Sequence, residues 1–304
     1  MDTKITKYYS PIQFQKIADI FINPYVVQTP PEKLFDNNVI LTKNELILFV
    51  WQDHNALQYI IQHLHLITVP FVIISAMEDY SFPYEININY VEMITENSFF
   101  KHWFTVNCTL EKYNPTYITP IPYGLDYWTL QNKPYFGLPP ASDFEQDTLL
   151  DQLASNTQHF SERIPMIYAN FHLNPTDAIH GGYRQKLKNI IPRDIIYYQN
   201  MALDRTQVWE KITKYAFVLS PPGNGLDCIR TFEALVLGCI VILHKNTLNT
   251  DMYTDLPVYI VDNYSSITKD LLEHILADFS NRTFNYEKLT NAFWIQSVYN
   301  KLRS

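Results

Sequence analysis

The chain has 304 residues and a mass of 35.8 kDa, enough for two domains of moderate size or one large domain at about 100–200 residues per domain. Hydrophobic residues make up 47% and charged residues 18% of the sequence, so a sizeable core can be buried and wholesale disorder is excluded. The net charge of −8 argues against a nucleic-acid-binding surface as the main function.

The N-terminal half alternates short apolar runs with stretches of helical periodicity. The runs ELILFV and VPFVIIS are typical of buried strands, because they are apolar almost without interruption and are bounded by polar residues. The predicted elements are a strand at 45–50, a helix at about 55–64, a strand at 69–75, a short helix at 92–100, and short strands at 101–106 and 117–121.

A segment rich in proline and glycine, NKPYFGLPPASDFEQ, follows at residues 132–146. Its prolines and its glycine lie near the start, before a Ser/Asp helix cap, and this order is typical of a domain boundary. We therefore predict an N-terminal domain of residues 1–140 and a C-terminal domain of residues 141–304.

The second half alternates strands and helices more regularly, which indicates parallel βαβ units and an α/β fold. Asp204 is the predicted cap of one of its helices. The closing helix could pack back on the N-terminal domain. The predicted elements are helices at 143–160, 205–215, 227–237, 266–277 and 286–302, and strands at 166–171, 216–220, 239–243 and 258–261.

Glycine is concentrated in one segment. The chain has 7 glycines against about 21 expected at the usual ~7%, and three of them are Gly223, Gly225 and Gly238. The run SPPGNGLDCIRTFEALVLGCIVIL at 220–243 has the pattern of a strand end, a turn, a helix and a strand. The first two glycines let the backbone approach a ligand, and the amides of the following helix, with Asp227 as its predicted N-cap, could bind phosphate.

Two charged residues follow on this predicted helix. Arg230 and Glu233 lie three residues apart, on the side away from the apolar face. Arg230 could pair with a diphosphate and Glu233 could accept hydrogen bonds from ribose hydroxyls, which together describe a nucleotide site. The alternative is an ordinary surface pair beside a plain turn, and spacing alone leaves it open.

The turn also comes close to a dinucleotide-binding motif. GNGLDC is nearly G-x-G-x-x-G between a strand and a helix. However, Cys228 replaces the third glycine, and the next strand ends at Leu243-His244-Lys245 without an acidic residue. An NAD-linked oxidoreductase is therefore disfavoured and kept as a third alternative.

Cysteine usage and the N-terminus indicate the compartment. The three cysteines show neither a disulfide framework nor C-x-x-C spacing. The first residues lack the apolar region of a signal peptide, and no run approaches the ~18 apolar residues of a membrane span. We predict a soluble, cytoplasmic protein that binds no nucleic acid and spans no membrane.

The segment YAFVLSPPGNGLDCIRTFEALVLGCIVIL resembles the C-terminal, sugar-nucleotide-binding half of exostosin-like glycosyltransferases, family 47-like enzymes of the GT-B architecture. The resemblance extends upstream to MIYANFHLNPTDAIHGGYRQK at 166–186 and downstream to DMYTDLPVYIVDNYSSIT at 251–268, and it is weaker in the N-terminal half. It implies an α/β fold with two Rossmann-like domains that face each other across a cleft, closed by a C-terminal helix, as in small soluble members from microbes or large DNA viruses.

The resemblance implies transfer of a sugar from a nucleoside diphosphate sugar to a hydroxyl of an oligosaccharide or glycan. UDP is the expected carrier and GDP the second choice, with inversion and without a metal or other cofactor. The acidic triplets DNN at 36–38 and EDY at 78–80 do not form a D-x-D metal motif. The donor-binding roles would fall on Arg184, Ser220, Gly223, Asn224, Gly225, Arg230 and Glu233.

An inverting transfer needs a general base on the acceptor hydroxyl. The candidates are Asp79, which follows a probable parallel strand where α/β sheets present ligands, and Asp126, which lies among aromatic residues suited to sugar faces. Each could instead be an ordinary turn or cap residue. The predicted acceptor-binding residues are Tyr80, Tyr123, Tyr127 and Trp128.

Two other functions stay open at this point. The first is a related GT-B enzyme, such as a fucosyltransferase-like protein that uses a GDP-sugar, or a nucleotide-sugar epimerase. The second is a pseudoenzyme that binds a nucleotide or sugar through Arg230 and Glu233 but lacks a base. Turnover of the donor would exclude the second.

Overall fold

Two parallel five-stranded sheets organise the chain in a computed structural model that describes residues 4–23, 42–109, 116–172, 180 and 182–304. The N-terminal sheet has the order β1-β2-β3-β4-β5. Every residue of β2 and β3 is buried, because helices and loops cover both faces of the sheet, as their continuous apolar sequences predict. The strands are β1 (Ile20–Ile22), β2 (Leu46–Trp51), β3 (Phe71–Ala76), β4 (Phe100–Thr105) and β5 (Ile118–Pro120).

Helices connect these strands and continue into the second half. Asp53 caps the first helix by accepting hydrogen bonds from two main-chain amides of its first turn. The helices up to the second sheet are α1 (His54–His63), α2 (Ile88–Thr95), α3 (Trp128–Asn132) and α4 (Asp143–Ser155).

The C-terminal sheet has the order β10-β9-β8-β6-β7. All its pairs are parallel. Its strands are β6 (Ile164–Ala169), β7 (Ile196–Tyr198), β8 (Tyr215–Leu219), β9 (Ile240–His244) and β10 (Val258–Val261). Its helices are α5 (Arg184–Ile190), α6 (Arg205–Ile212), α7 (Ile229–Val236) and α8 (Lys269–Ser280), and α9 (Asn291–Arg303) closes the chain.

This architecture confirms the predicted α/β class with two Rossmann-like parallel sheets and a closing helix. The predicted cap Asp204 is also confirmed, since it forms a capping box with Gln207 at the start of α6. The closing helix begins later than predicted, at Asn291, because Thr290 caps it and Tyr286–Leu289 forms a 3₁₀ turn before it.

Other boundaries differ for similar local reasons. The helix predicted at 92–100 is α2, which begins at the Asn87 cap and ends at Thr95, and the helix predicted at 143–160 ends at Ser155. The strands β1 and β7 were not predicted, because three residues are too few to show a period. The helix α5 was also missed.

The N-terminal segment and the closing helix are joined to each other. The Asn291 side chain, which is 2% exposed, donates to the main-chain oxygen of Thr6 at 2.9 Å and accepts from the amide of Ser10 at 3.2 Å. The helix α9 itself packs against β3 and β4 of the N-terminal sheet. Residues from the two ends of the chain therefore stabilise the same part of the fold.

A buried ion pair of the C-terminal half also contacts the N-terminal half through its arginine. The guanidinium of Arg205 on α6 lies 3.0 Å from Glu233 Oε1 on α7. Its Nη1 also donates to the main-chain oxygen of Asp126 at 2.6 Å and to Gln146 Oε1 at 3.1 Å. Because Arg205 and Glu233 are 4% and 5% exposed, neither charge can be solvated if its partner is lost.

We expect the substitution Arg205→Ala to lower the free energy of unfolding by about 3–5 kcal/mol, because it leaves the Glu233 carboxylate buried without a cation. The matched control is Arg282→Ala, which removes an exposed ion pair with Asp278 and should cost less than about 1 kcal/mol. Chemical denaturation of both variants measures the difference. Equal effects of the two substitutions would show that the buried pair has no special role.

Candidate functional site

The carboxyl ends of the two sheets lie against each other. The chain leaves β3 through Met77, Glu78 and Asp79, and it leaves β8 through the loop at 220–228. The Asn224 side chain of this loop lies close enough to the Asp79 carboxylate to lower its pKa. Ligands of open α/β sheets bind at the carboxyl ends of strands, so this junction is the candidate site.

Backbone strain marks the N-terminal side of the junction. Met77, directly after β3, has a φ of 76°, and Asn107, shortly after β4, has a φ of 48°. Left-handed conformations cost non-glycine residues of order 1–3 kcal/mol and cluster at functional sites. Asn107 uses its conformation to contact both halves, since its Oδ1 accepts from the amide of Asp227 at 2.9 Å and its Nδ2 donates to the main-chain oxygen of Asp79 at 3.2 Å.

The glycine at position 225 is required by this contact. A Cβ atom on Gly225 would lie 2.9 Å from Asn107 Nδ2, which is too close for a real contact. The close approach at Gly225 is made to Asn107 of the other half, and an approach of this loop to a ligand stays a prediction.

Two adjacent carboxyl groups form the acidic side of the site. Burial, with the neighbouring charges of Asp53 and Asp79, raises the pKa of Glu78 from its ordinary 4.5 to about 7. Burial also raises the pKa of Asp79, although hydrogen bonds from Asn224 and Tyr123 partly oppose this. Carboxyl groups with pKa values raised in this way are suited to proton transfer near neutral pH.

Two guanidinium groups form the basic side. Arg184 and Arg230 lie 5.5 and 5.6 Å from the ring centroid of Phe171. Burial and the neighbouring Arg230 charge lower the pKa of Arg184. Among the described residues, neither guanidinium forms an ion pair with a carboxylate. A pair of cations without a counter-charge is suited to bind an anion.

The two arginines differ in what they contact. Arg184 donates from Nε to the main-chain oxygen of Pro222 at 2.8 Å and from Nη2 to that of Pro221 at 2.9 Å. A Cβ atom on Gly223 would lie 2.7 Å from Arg184 Nη2, so Arg184 and the glycine fix the shape of the loop together. Arg230 donates from Nε to Asn170 Oδ1 at 2.6 Å and from Nη1 to Cys228 Sγ at 3.6 Å. Among the described residues its Nη2 has no hydrogen-bond partner, so this nitrogen is better able to reach a ligand.

The start of the helix α7 differs from the prediction. Asp227 is not the N-cap, because the helix begins at Ile229 with Cys228 in the cap position. The buried Asp227 carboxylate instead accepts from the amide of Tyr123 at 2.8 Å and from the hydroxyl of Tyr253 at 2.6 Å. Its partners lie on distant parts of the chain, so it joins the two halves.

Two further predicted donor residues are buried. Ser220 Oγ lies 2.9 Å from the Thr231 hydroxyl. The prediction that Glu233 lies on the outer side of its helix is wrong, because α6 covers that side and Arg205 occupies the carboxylate. The surface pair considered as an alternative is not formed either, since Arg230 contacts Asn170 instead. Contact of Glu233 with a ribose stays a prediction.

The predicted acceptor residues separate into two groups. A cavity of about 270 Å³ is lined by side chains that include Asp126, Tyr123 and Trp128. Tyr127 is fully buried beside it and donates to Asp147 Oδ1 at 2.8 Å, so in this structure it contacts the core. Tyr80 lies away from the cavity and packs edge-on against His54.

The two predicted bases have different surroundings. Asp126 Oδ1 accepts from the amide of Thr129 at 2.9 Å, so it takes the turn role that was considered as its alternative, beside the N-cap Tyr127. Asp79 contacts the loop of the other half through Asn224 and the cavity through Tyr123. The structure therefore brings Asp79, Tyr123 and Asn224 together, whereas Asp126 lines the cavity with Tyr123.

Several residues of the site could not be assigned from the sequence. Glu78 is the neighbour of a chosen candidate, and Asn170 directly follows β6, so their positions after strands were a usable signal. His180 had no such signal. Its main-chain amide donates to the oxygen of Gly223 at 2.8 Å, and its Nε2 lies 3.4 Å from Glu85 Oε2 of the other half.

No group of three or more His, Cys, Asp or Glu side chains in the described ranges is placed to hold a metal ion. The triplet DNN at 36–38, and residues 173–179 and 181 of the segment that resembles the exostosin-like enzymes, lie outside those ranges. No helix that the structure describes is both long and apolar enough to cross a membrane.

Comparisons with known proteins find fold-level likeness only. Neither a scan against protein-family models nor a search of curated proteins finds a match. Among similar solved structures are a UDP-forming trehalose-phosphate synthase from Burkholderia xenovorans (10% identity over 97% of this chain and 80% of that chain, TM-score 0.44) and a trehalose 6-phosphate synthase from Burkholderia multivorans (8%, 97% and 74%, TM-score 0.37). A third is a sucrose-phosphate synthase from Thermosynechococcus elongatus (12%, 91% and 79%, TM-score 0.42).

At such low identities and TM-scores, the role of a residue in these proteins cannot be assigned to a residue of this chain. None of the three is an exostosin-like enzyme by name. The resemblance to exostosin-like enzymes therefore stays a prediction, and the site has to be interpreted from its own geometry.

The raised pKa of Glu78 predicts a pH-dependent stability. Between its ordinary pKa of 4.5 and its folded pKa of about 7, the folded protein holds a proton that the unfolded chain has released. Stability should therefore fall as pH rises through this window, and Glu78→Gln should remove that contribution. Unfolding midpoints of both proteins from pH 4.5 to 7 measure it, with Glu96→Gln as a surface control. Parallel pH profiles for wild type and Glu78→Gln would contradict the raised pKa.

Proposed function

We propose that this protein is a glycosyltransferase that moves a sugar from a nucleoside diphosphate sugar to a hydroxyl of a carbohydrate acceptor. The observation that supports this proposal most directly is the position of Asp79, whose carboxyl pKa is influenced both by Asn224 of the loop beside the arginines and by Tyr123 of the cavity. One carboxylate thus adjoins both the place suited to a donor and the place suited to an acceptor.

The charges on the two sides support a single displacement. The acceptor hydroxyl loses its proton to Asp79 as its oxygen forms a bond to the anomeric carbon, and the bond from that carbon to the diphosphate breaks. The bonding electrons leave with the diphosphate. Arg230, with Arg184 behind the loop, would stabilise the developing negative charge, while burial of Asp79 raises the pKa of the base toward the working range.

The finer parts of the proposal follow from the resemblance. They are a UDP-linked donor, a hexosyl or pentosyl group, inversion of configuration, no metal or other cofactor, and membership of the exostosin-like enzymes. The paired arginines favour a metal-independent reaction, since two cations can neutralise a diphosphate without an ion. A GDP-sugar donor, as in fucosyltransferase-like enzymes, fits the same arginines.

A binding protein without catalysis is the second candidate. It would keep the arginine pair, but the raised pKa values of Glu78 and Asp79 are a feature that binding alone does not require. Hydrolysis or transfer of the donor sugar separates the two.

The substitution Arg230→Ala should weaken nucleotide binding by about 10- to 100-fold, as expected for the loss of charged hydrogen bonds to the diphosphate. Thermal shifts with UDP and GDP measure the affinity, because a ligand of the native state raises the midpoint. Arg193→Ala, at an exposed arginine outside the site, is the control. Equal shifts in wild type and Arg230→Ala would remove the arginine from the donor site.

The substitution Asp79→Asn should lower kcat by about 10²- to 10⁴-fold, the usual contribution of a general base, and leave the UDP- or GDP-induced shift unchanged. Asn keeps the size of the side chain, and circular dichroism checks the fold. Asp126→Asn is the paired comparison, for which we expect a smaller loss of kcat. If Asp126→Asn abolished transfer while Asp79→Asn did not, the base would be Asp126.

A further inference from the structure

We infer that the cavity beside Tyr123 takes one uncharged, unphosphorylated sugar ring as the acceptor. This inference rests on the proposed function, because it names the acceptor class of the same site. It starts from the size of the cavity. Its volume of about 270 Å³ lies just below the range of about 300–1,000 Å³ in which ligand pockets hold drug-sized molecules, so there is room for a single ring.

The walls of the cavity suit the faces of a sugar. The rings of Trp51 and Trp128 stand perpendicular to each other, with centroids 5.9 Å apart and an interplanar angle of 89°. Tyr123, Met77 and Leu125 complete the apolar lining. The C–H bonds on one face of a pyranose are apolar and carry a slight positive charge, so they pack on the electron-rich faces of such rings.

The charge of the cavity excludes an anionic acceptor. Asp126 is the one charged side chain among the described residues that line it, and Tyr123 connects it to the acidic pair Glu78 and Asp79. Arg205 on α6 donates to the main-chain oxygen of Asp126, but its guanidinium is buried against Glu233. Among the described residues that line the cavity, a phosphate would therefore meet like charge and no cation, whereas sugar hydroxyls can donate to the Asp126 carboxylate.

Saturation-transfer NMR titrations test the inference on the full chain. The probes are the methyl glycosides of glucose, galactose and mannose, which are neutral, and the 6-phosphates of the same three sugars, which are anionic. Glucosamine, whose amine is protonated, is the cationic probe. We expect at least one neutral glycoside to bind with a Kd on the order of millimolar. Its 6-phosphate should bind at least about tenfold more weakly, because a like charge at a partly buried site is poorly screened.

Variants assign the effect to this cavity. Trp128→Ala should lose neutral-sugar binding. Asp126→Asn keeps an oxygen that can accept from the Thr129 amide but removes the charge. It should therefore reduce the preference for the neutral sugar over its 6-phosphate to about threefold or less. Tyr135→Ala, at an exposed ring outside the cavity, should bind as wild type does. Equal or tighter binding of a 6-phosphate, preferred binding of glucosamine, or no neutral binding up to about 100 mM would overturn the inference.

The proposed function fails on a different result. If UDP and GDP both leave the unfolding midpoint unchanged while a neutral glycoside binds, the donor proposal is wrong and the cavity stands as a sugar site. If a nucleotide binds and only phosphorylated sugars enter the cavity, the inference alone is wrong.

Discussion

The site depends on the hydrogen bonds that the buried Asp227 carboxylate accepts. It is 2% exposed and accepts hydrogen bonds from the amides of Tyr123 and Cys228 and from the hydroxyl of Tyr253. One group therefore fixes the segment that carries the cavity, the start of α7 and the loop before it. Burial raises its pKa, which means that placing the charged carboxylate at this junction costs free energy of folding.

The consequence is a site with separated charges. Carboxyl groups follow β3 of the N-terminal sheet, and guanidinium groups lie at the carboxyl ends of strands in the C-terminal sheet. Such an arrangement is unfavourable for stability alone, because Arg184 and Arg230 repel each other and so do Glu78 and Asp79. It is favourable for a reaction that removes a proton on one side and releases an anion on the other.

Sequence patterns were informative where the signal was local. The strands β2, β3, β8 and β9 could be predicted because both faces are buried and their sequences are continuously apolar. The positions of Asp79 and Arg230 followed from their place after a strand and on the helix behind a glycine turn.

Properties that depend on distant residues could not be predicted. Asp227 was assigned to a cap because its partner Tyr123 is 104 positions away. Glu233 was placed on the outer side of α7 because nothing in the local sequence indicates that Arg205 covers it. The raised pKa of Glu78 likewise arises from burial and from the charge of Asp53. Asp53 lies before α1, whereas Glu78 follows β3.

The two arginines also explain why the loop glycines and the donor site belong together. Arg184 donates two hydrogen bonds to the carbonyl oxygens of Pro221 and Pro222, and Gly223 leaves space for its Nη2. The same charge that would attract a diphosphate therefore shapes the loop that reaches Asp79 through Asn224. Because one residue does both, loss of Arg184 would disturb the geometry of the base as well as the charge of the donor site. Arg230 donates instead to Asn170 and Cys228, so its loss separates the two effects.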